Sequence, residues 1–414
     1  MGQTVLVAGA GVIGLAAAYF LSAEGLQVTV VDQGQPGSGC SYGNMGWVCP
    51  SLSEPLPSPG IVRSSLAGML DGSGPLYIKP AEGLHMAPWL LNFWRASSPP
   101  RYAAGLEANL WLSRHTLALY DEWASAGVVF EMHREGLVYA FLDADAWQKK
   151  LMTLSPLVDF GFPAPEPLPK EALLTLEPDL SPKVVGGIRL PAERHVRADT
   201  LIRGLVERLR AAGVDVRSDT AVDAIETARG RVQAFRVGPE RLRADAYVLA
   251  AGAWTGPLAR SIGLKLPIVA GKGYSLTFRE PNLTVHHALY LGDSKVAVSP
   301  YAGALRVGGT MEFSGFNTRL DARRVDGIRR AARQYFQAAP VGRSTEVWVG
   351  MRPMTPDGLP IIGRTPQYDN LFVASGHGSD GVFMAPATGA LLRDVLLDRP
   401  RPPLAGAFDP GRFH

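Results

Sequence analysis

Cysteine is nearly absent: the 414-residue chain has two, Cys40 and Cys49, in one glycine-rich stretch. That excludes a disulfide scaffold and any cysteine-based zinc finger, and it suits a reducing compartment. Free thiols are the expected state, with one bridge between them as the alternative. Charge of one sign is also lacking. The net charge is +3 and no Lys/Arg block stands out, so a nucleic-acid partner is not expected. No apolar run reaches the length of a membrane span. Strand-like sequence begins by Thr4, leaving no room for the charged and apolar regions of a signal peptide. Leu6 stands where a myristoylation motif needs Ser or Thr. A cytoplasmic protein is therefore expected. His286 and His287 lack carboxylate partners at metal-ligand spacing and read as surface residues, so no metal site is expected. No serine sits at a nucleophile elbow with His and Asp partners.

What remains is a globular composition, 46% hydrophobic and 19% charged, with a mean hydropathy of +0.05. The length calls for two domains or an interleaved pair. Thr4–Ala8 is an apolar run ending in glycines, followed by a helical pattern from Gly14 to Ala23 and a second apolar run, Gln27–Val31. This order is that of a parallel α/β unit. Glycine and proline then dominate to Pro80, predicting an extended stretch wrapped over a ligand or another domain. One helix is predicted over Asn109–Ala126, another over Ala198–Ala212, and a meander from Val222 to Arg243. Alternating strands recur from Tyr274 to Thr310. The chain closes with strand Leu371–Ala374, a glycine turn and helix Val382–Leu397.

Gly9-Ala10-Gly11-Val12-Ile13-Gly14 lies between the first strand and helix, and Asp32, with Gln33 beside it, ends the second strand. The three glycines serve a tight turn, close backbone approach to a pyrophosphate, and helix–strand packing. The helix N-terminus favours phosphates. An acid roughly twenty residues on accepts from ribose hydroxyls, and its charge disfavours a 2′-phosphate. The pattern predicts a dinucleotide site. A second GxGxxG, Gly376–Gly381, has no following strand with a terminal acid. It reads as a helix N-terminus aimed at an anionic group, with a plain helix cap as the alternative.

Gly9–Asp32 resembles the ADP-binding signature of the glutathione-reductase-type flavoproteins. Tyr247–Trp254 (YVLAAGAW) resembles their strand that returns beside the flavin. Gly350–Gly363 and Gly376–Ala390 resemble the D-amino-acid oxidase superfamily, which includes glycine and sarcosine oxidases. Ser41–Gly60, Pro75–Pro80 and Gly271–Thr277 look like the small subunit of bacterial D-amino-acid and D-hydroxyproline dehydrogenases. The resemblance implies a Rossmann-like α/β FAD-binding domain interleaved with an antiparallel-sheet substrate domain. The FAD-binding parts would be 1–60, 185–265 and 341–414, and the substrate parts 61–184 and 266–340.

The resemblance also implies residue roles. Asn44, Gly46 and Trp47 would lie near the flavin ring and Val222 near the adenine. Ala251, Gly252 and Trp254 would flank the cofactor, and Gly378, Gly381, Val382 and Phe383 would meet its pyrimidine end. FAD would be held without a covalent bond, because no cysteine follows Cys49 and no histidine precedes His85. Arg352 would clamp a substrate carboxylate, for which its planar fork is suited. Tyr274 would add a phenolic hydrogen bond, with packing as the alternative. Glycine oxidases use a tyrosine at a position that falls here on Val296 or Ala297, so that contact is missing or supplied by Tyr301 or Tyr274. Arg306 falls near a lysine that sarcosine oxidase associates with oxygen activation, which hints at poor oxygen use. His377 reads as structural, with contact to flavin or substrate as the alternative.

The expected activity is oxidation of D-amino acids, D-proline and D-hydroxyproline included, with electrons passed to a quinone or carrier protein. The competitors are a glycine- or sarcosine-type oxidase using oxygen, the flavin subunit of a heteromeric dehydrogenase, and a non-catalytic dinucleotide module. Met86, Trp89, Leu90, Phe93 and Trp94 share one helical face. Core packing is expected there, with peripheral membrane contact as the alternative. A homo- or hetero-oligomer fits the resemblance.

Overall fold

The computed structural model describes residues 2–61 and 76–413. Its first layer is a six-stranded sheet in the order Asp215–Arg217, Gln27–Val31, Thr4–Ala8, Ala246–Leu249, Leu371–Ser375, Ile361–Arg364. All pairings are parallel except the last. These strands are short apolar runs, as expected where both faces are covered. Helices Val12–Ala23, Ala198–Ala211 and Gly381–Leu396 bury one face in a core that includes Leu15, Leu205 and Leu392. The three-stranded meander Ala224–Leu242 packs with the other face through Ile225, Phe235 and Tyr247.

The second layer is a nine-stranded sheet built mainly from Val269–Pro281, Ala288–Leu291, Val296–Tyr301, Ala304–Phe313 and Gly342–Met354. It is largely antiparallel, with a parallel join between Ala288–Leu291 and Leu137–Phe141. Two strands lie just inside segments expected from sequence to be FAD-binding. Gly186–Leu190 pairs with Leu137–Phe141, and Gly342–Met354 pairs along Val269–Pro281. Both pair into the large sheet. The helix expected over Asn109–Ala126 is two helices, Pro99–Ser113 and Thr116–Ser125.

Between the layers lies a small sheet in which Arg194–Val196 pairs with Trp47–Val48 and Met132–His133. It brings the glycine-rich stretch after Gly34 to the junction of the two large sheets. Of that stretch, residues 62–75 lie outside the described residues.

Candidate active site

Two cavities meet at this junction. The first, about 400 Å³, runs along the C-terminal ends of the parallel strands and is lined by Gly9, Gly11, Val12, Ile13, Asp32, Gln33, Val222, Ala251, Gly252 and Trp254. The position is that at which open α/β sheets bind ligands. Gly9 has φ +112° and a Cβ there would lie 2.3 Å from Ala250 O; a Cβ on Gly14 would lie 1.8 Å from Gly9 O. Both glycines are thus required by close packing of turn, helix and strand. Gly11, at the N-cap, has no side chain to cap the helix; the first amide, Val12 N–H, donates to Ser41 Oγ at 3.1 Å, and the turn lines the cavity. Asp32 accepts from Ala10 N–H at 2.7 Å and Gly34 N–H at 2.9 Å, which fixes its carboxylate in the wall; burial raises its pKa.

The second cavity, about 550 Å³, lies against the large sheet. Its wall includes Trp47, Tyr139, Tyr274, Tyr290, Ala297, Arg352, Asp380 and Phe383, with Trp89, Leu90 and Phe93 on one side. Cys40, Asn44, His377 and Gly378 line both cavities. Both cysteines are free, and burial pushes the Cys40 thiol up to about 11.

The loop at the junction is clamped. Arg306 donates to Thr277 Oγ1 at 3.0 Å and to the carbonyls of Tyr42 and Asn44 at 3.0 and 2.8 Å. Ser275 Oγ–H donates to Gly43 O at 3.0 Å, and the Ser299 and Tyr301 hydroxyls donate to Met45 O at 2.7 and 2.8 Å. Every carbonyl from Tyr42 to Met45 is therefore held by a large-sheet side chain. Gly46, at φ +71°, would drive a Cβ to 1.7 Å from Val196 O, and its N–H donates to Asn44 Oδ1 at 2.7 Å. Trp47 Nε1–H donates to Ser299 Oγ at 3.0 Å.

Arg352 places one nitrogen on Thr310 O at 2.9 Å. Among the described residues the rest of its fork has no carboxylate partner, and burial pulls its pKa down. Tyr274 lines the same cavity but its hydroxyl donates to Glu312 at 2.6 Å, inside a buried pair with Lys272. Its proton is thus engaged within the sheet, and Tyr301 is engaged on the loop. Tyr290, like Tyr139, lines the cavity with no described side chain or carbonyl taking its hydroxyl; sequence reading missed Tyr290. It sits directly across the strand pair from Ala297, packs edge-on to Trp47 and Tyr139, and is raised to about 12 by burial. Only the sheet register could have revealed it, because it moves the tyrosine to the neighbouring strand.

Three further expectations resolve. His377 is buried, shares a hydrogen bond with Thr388 Oγ1 at 2.9 Å and leaves Nδ1 without a partner; burial lowers it to about 3. His287 is not a surface residue: it is buried with Nδ1 2.7 Å from Glu177 Oε1. Met86 and Trp89 are buried, Trp89, Leu90 and Phe93 line the second cavity, and Trp94 is 62% exposed, so the helical face is divided among core, cavity wall and solvent. No described helix is long and apolar enough to cross a membrane.

A cavity over the glycine-rich turn, sharing wall residues with a pocket that holds a guanidinium, is the arrangement a flavin-dependent oxidoreductase needs. The residues fit FAD: Gly252, at φ +54°, leaves open space where a Cβ would intrude, and the N-terminal turns of helices Val12–Ala23 and Gly381–Leu396 both reach the first cavity's wall. The chain belongs to the FAD dependent oxidoreductase (DAO) family, whose profile matches residues 4–395. It is 34% identical to a D-amino acid dehydrogenase of Bradyrhizobium diazoefficiens, over 95% of this chain and 94% of the relative. It is also 34% identical to a D-amino acid dehydrogenase of Chromohalobacter salexigens, over 98% and 97%. Its fold is similar to glycine oxidase from Geobacillus kaustophilus (TM-score 0.76, 23% identity, 99% and 98% covered). It is similar too to L-proline dehydrogenase from P. horikoshii (TM-score 0.78, 16% identity, 100% and 98% covered).

Proposed function

We propose that the protein dehydrogenates D-amino acids at Cα, cyclic ones such as D-proline included, and passes the electrons to a quinone or carrier protein. The observation that carries this reading is Arg352, a half-buried guanidinium with an unengaged fork in the cavity that adjoins the dinucleotide cavity. Its planar donors suit a carboxylate through two parallel bonds. Thr310 O fixes its orientation, so little freedom is lost on binding. Tyr290 lines the same cavity and offers a hydroxyl to the same ligand. The clamped Tyr42–Met45 loop and Asn44 would hold the reactive end of the cofactor beside the substrate. Gly9–Gly14, Asp32, Gln33, Val222, Ala251, Gly252 and Trp254 would hold its ADP half, and Gly378, Gly381, Val382 and Phe383 its pyrimidine end. Bound FAD supplies acceptance of a hydride from Cα. The imino acid from a primary amine then hydrolyses to the 2-oxo acid and ammonia, whereas that from D-proline is a cyclic imine that keeps its nitrogen.

Anaerobic titration of the purified holoprotein against matched D- and L-amino acids tests this. D-substrates should bleach the flavin band. Bleaching by L-substrates alone would reverse the assignment of hand, and stoichiometric peroxide under air would replace the dehydrogenase with an oxidase.

A further inference from the structure

The cavity that holds Arg352 also holds a carboxylate, Asp380, whose side chain is hydrogen-bonded to its neighbour Ser379 and not to Arg352. Asp380 occupies the N-cap position of helix Gly381–Leu396, where an aspartate ordinarily accepts from the first-turn amides. Here its side chain makes no capping bond. It lines the second cavity and feels Arg352 through space. One cavity wall thus presents a cation and an anion that do not satisfy each other, the complement of a zwitterion.

We propose that Asp380 binds the substrate ammonium opposite the Arg352–carboxylate contact and accepts its proton before Cα is oxidised. This rests on the function proposed above. The proton leaves nitrogen as an N–H bond breaks and an O–H bond forms on one Asp380 oxygen. The electron pair stays on nitrogen, so the amine becomes neutral while the enzyme keeps the proton until product leaves and water removes it. A neutral amine can then push its lone pair toward Cα as hydride departs.

The surroundings suit that role. Burial raises the Asp380 carboxyl to about 7, with Ser379 and the Arg352 charge opposing. That brings it closer to an ammonium than an ordinary carboxylate would be. The other charged or titratable groups around it are Cys49, which feels Asp380 from the stretch after Trp47, and His377 in its own turn. The same cavity is lined by Tyr139, Tyr274, Tyr290, Lys295, Cys40 and the Glu54–Lys150 ion pair at 2.9 Å.

The test uses holoprotein and two non-reactive ligands, 2-aminoisobutyrate, which lacks a Cα hydrogen, and isobutyrate, which lacks the amine. Each is titrated by its perturbation of the flavin spectrum. Asp380→Asn should weaken 2-aminoisobutyrate by about tenfold or more, the loss of a charged hydrogen bond, and leave isobutyrate unchanged. The acid limb of kcat/KM near pH 7 should disappear in Asp380→Asn and return, displaced, in Asp380→Glu. An unchanged ligand ratio together with an unchanged acid limb overturns the proposal. If D-amino acids fail to reduce the wild-type flavin, the oxidation and the proton transfer both fall. The ligand contrast then still decides amine recognition.

Discussion

Arg352 is where the chemistry of a single residue has the largest consequence. Its one anchored nitrogen and unengaged remainder separate orientation from recognition, so substitutions should separate them too. Arg352→Lys keeps the charge and loses the fork; Arg352→Met loses both. Steady-state kinetics should show kcat/KM falling by about tenfold for the first and about a thousandfold for the second, with the flavin still bound in each. Loss of flavin in Arg352→Met would mean that the residue supports the cofactor instead. Tyr290 belongs to the same scale. Tyr290→Phe removes only a hydroxyl that no described residue engages, so thermal stability should stay within about 1 kcal/mol of wild type while KM for the amino acid rises. That Arg352 belongs near the site could be read from sequence because its neighbours form a recognisable string, and it does line the cavity. Tyr290 could not be read so, because what matters is its partner across the sheet, Ala297, seven positions along the chain.

At the scale of an element, the loop from Tyr42 to Met45 shows how a stretch without regular structure is made rigid. Its carbonyls are not paired with each other; they are taken by Arg306, Ser275, Ser299 and Tyr301 from three strands of the large sheet. Arg306 holds two of them and is 3% exposed, so a shorter fork cannot be replaced by water. Arg306→Lys should leave buried acceptors unpaired, at about 1–3 kcal/mol. It should therefore lower the melting temperature and weaken flavin retention, read as the flavin-to-protein absorbance ratio after gel filtration. An unaltered ratio would show that the loop does not hold the cofactor. The same contacts change the meaning of Arg306 suggested by sequence: its donors are engaged on protein, so it is a brace for the loop. The first strand, helix and second strand were legible to within two residues because glycine spacing and apolar runs act locally. The allegiance of Gly342–Met354 was not, since the choice between two sheets is made by long-range pairing. His287 illustrates the same limit: its buried partner, Glu177, is 110 residues away.

Across the whole molecule, the two layers are joined through the small sheet, and its central strand with the residue before it carries two buried titratable groups of opposite tendency. Glu193 is 3% exposed, with one carboxylate oxygen taking Ser51 N–H and the other without a partner; burial raises it to about 7 from 4.5. His195 is fully buried, bonded to Pro300 O and stacked on His133; burial lowers it to about 4 from 6.5. For Glu193 the folded protein holds its proton more tightly than the unfolded chain. Its contribution is full below pH 4.5 and is lost as pH rises to 7. For His195 the unfolded chain holds the proton more tightly, so that contribution is full above pH 6.5 and is lost as pH falls to 4. Each shift corresponds to about 3 kcal/mol, and between pH 4.5 and 6.5 the two oppose each other. Glu193→Gln leaves the histidine term alone, so relative to wild type its melting temperature should fall as pH is lowered from 6.5 to 4.5. His195→Asn leaves the carboxyl term alone and should lose stability as pH is raised through the same window. Parallel melting curves for both variants and wild type would show instead that this strand titrates no differently folded than unfolded. The two layers would then be joined by packing alone.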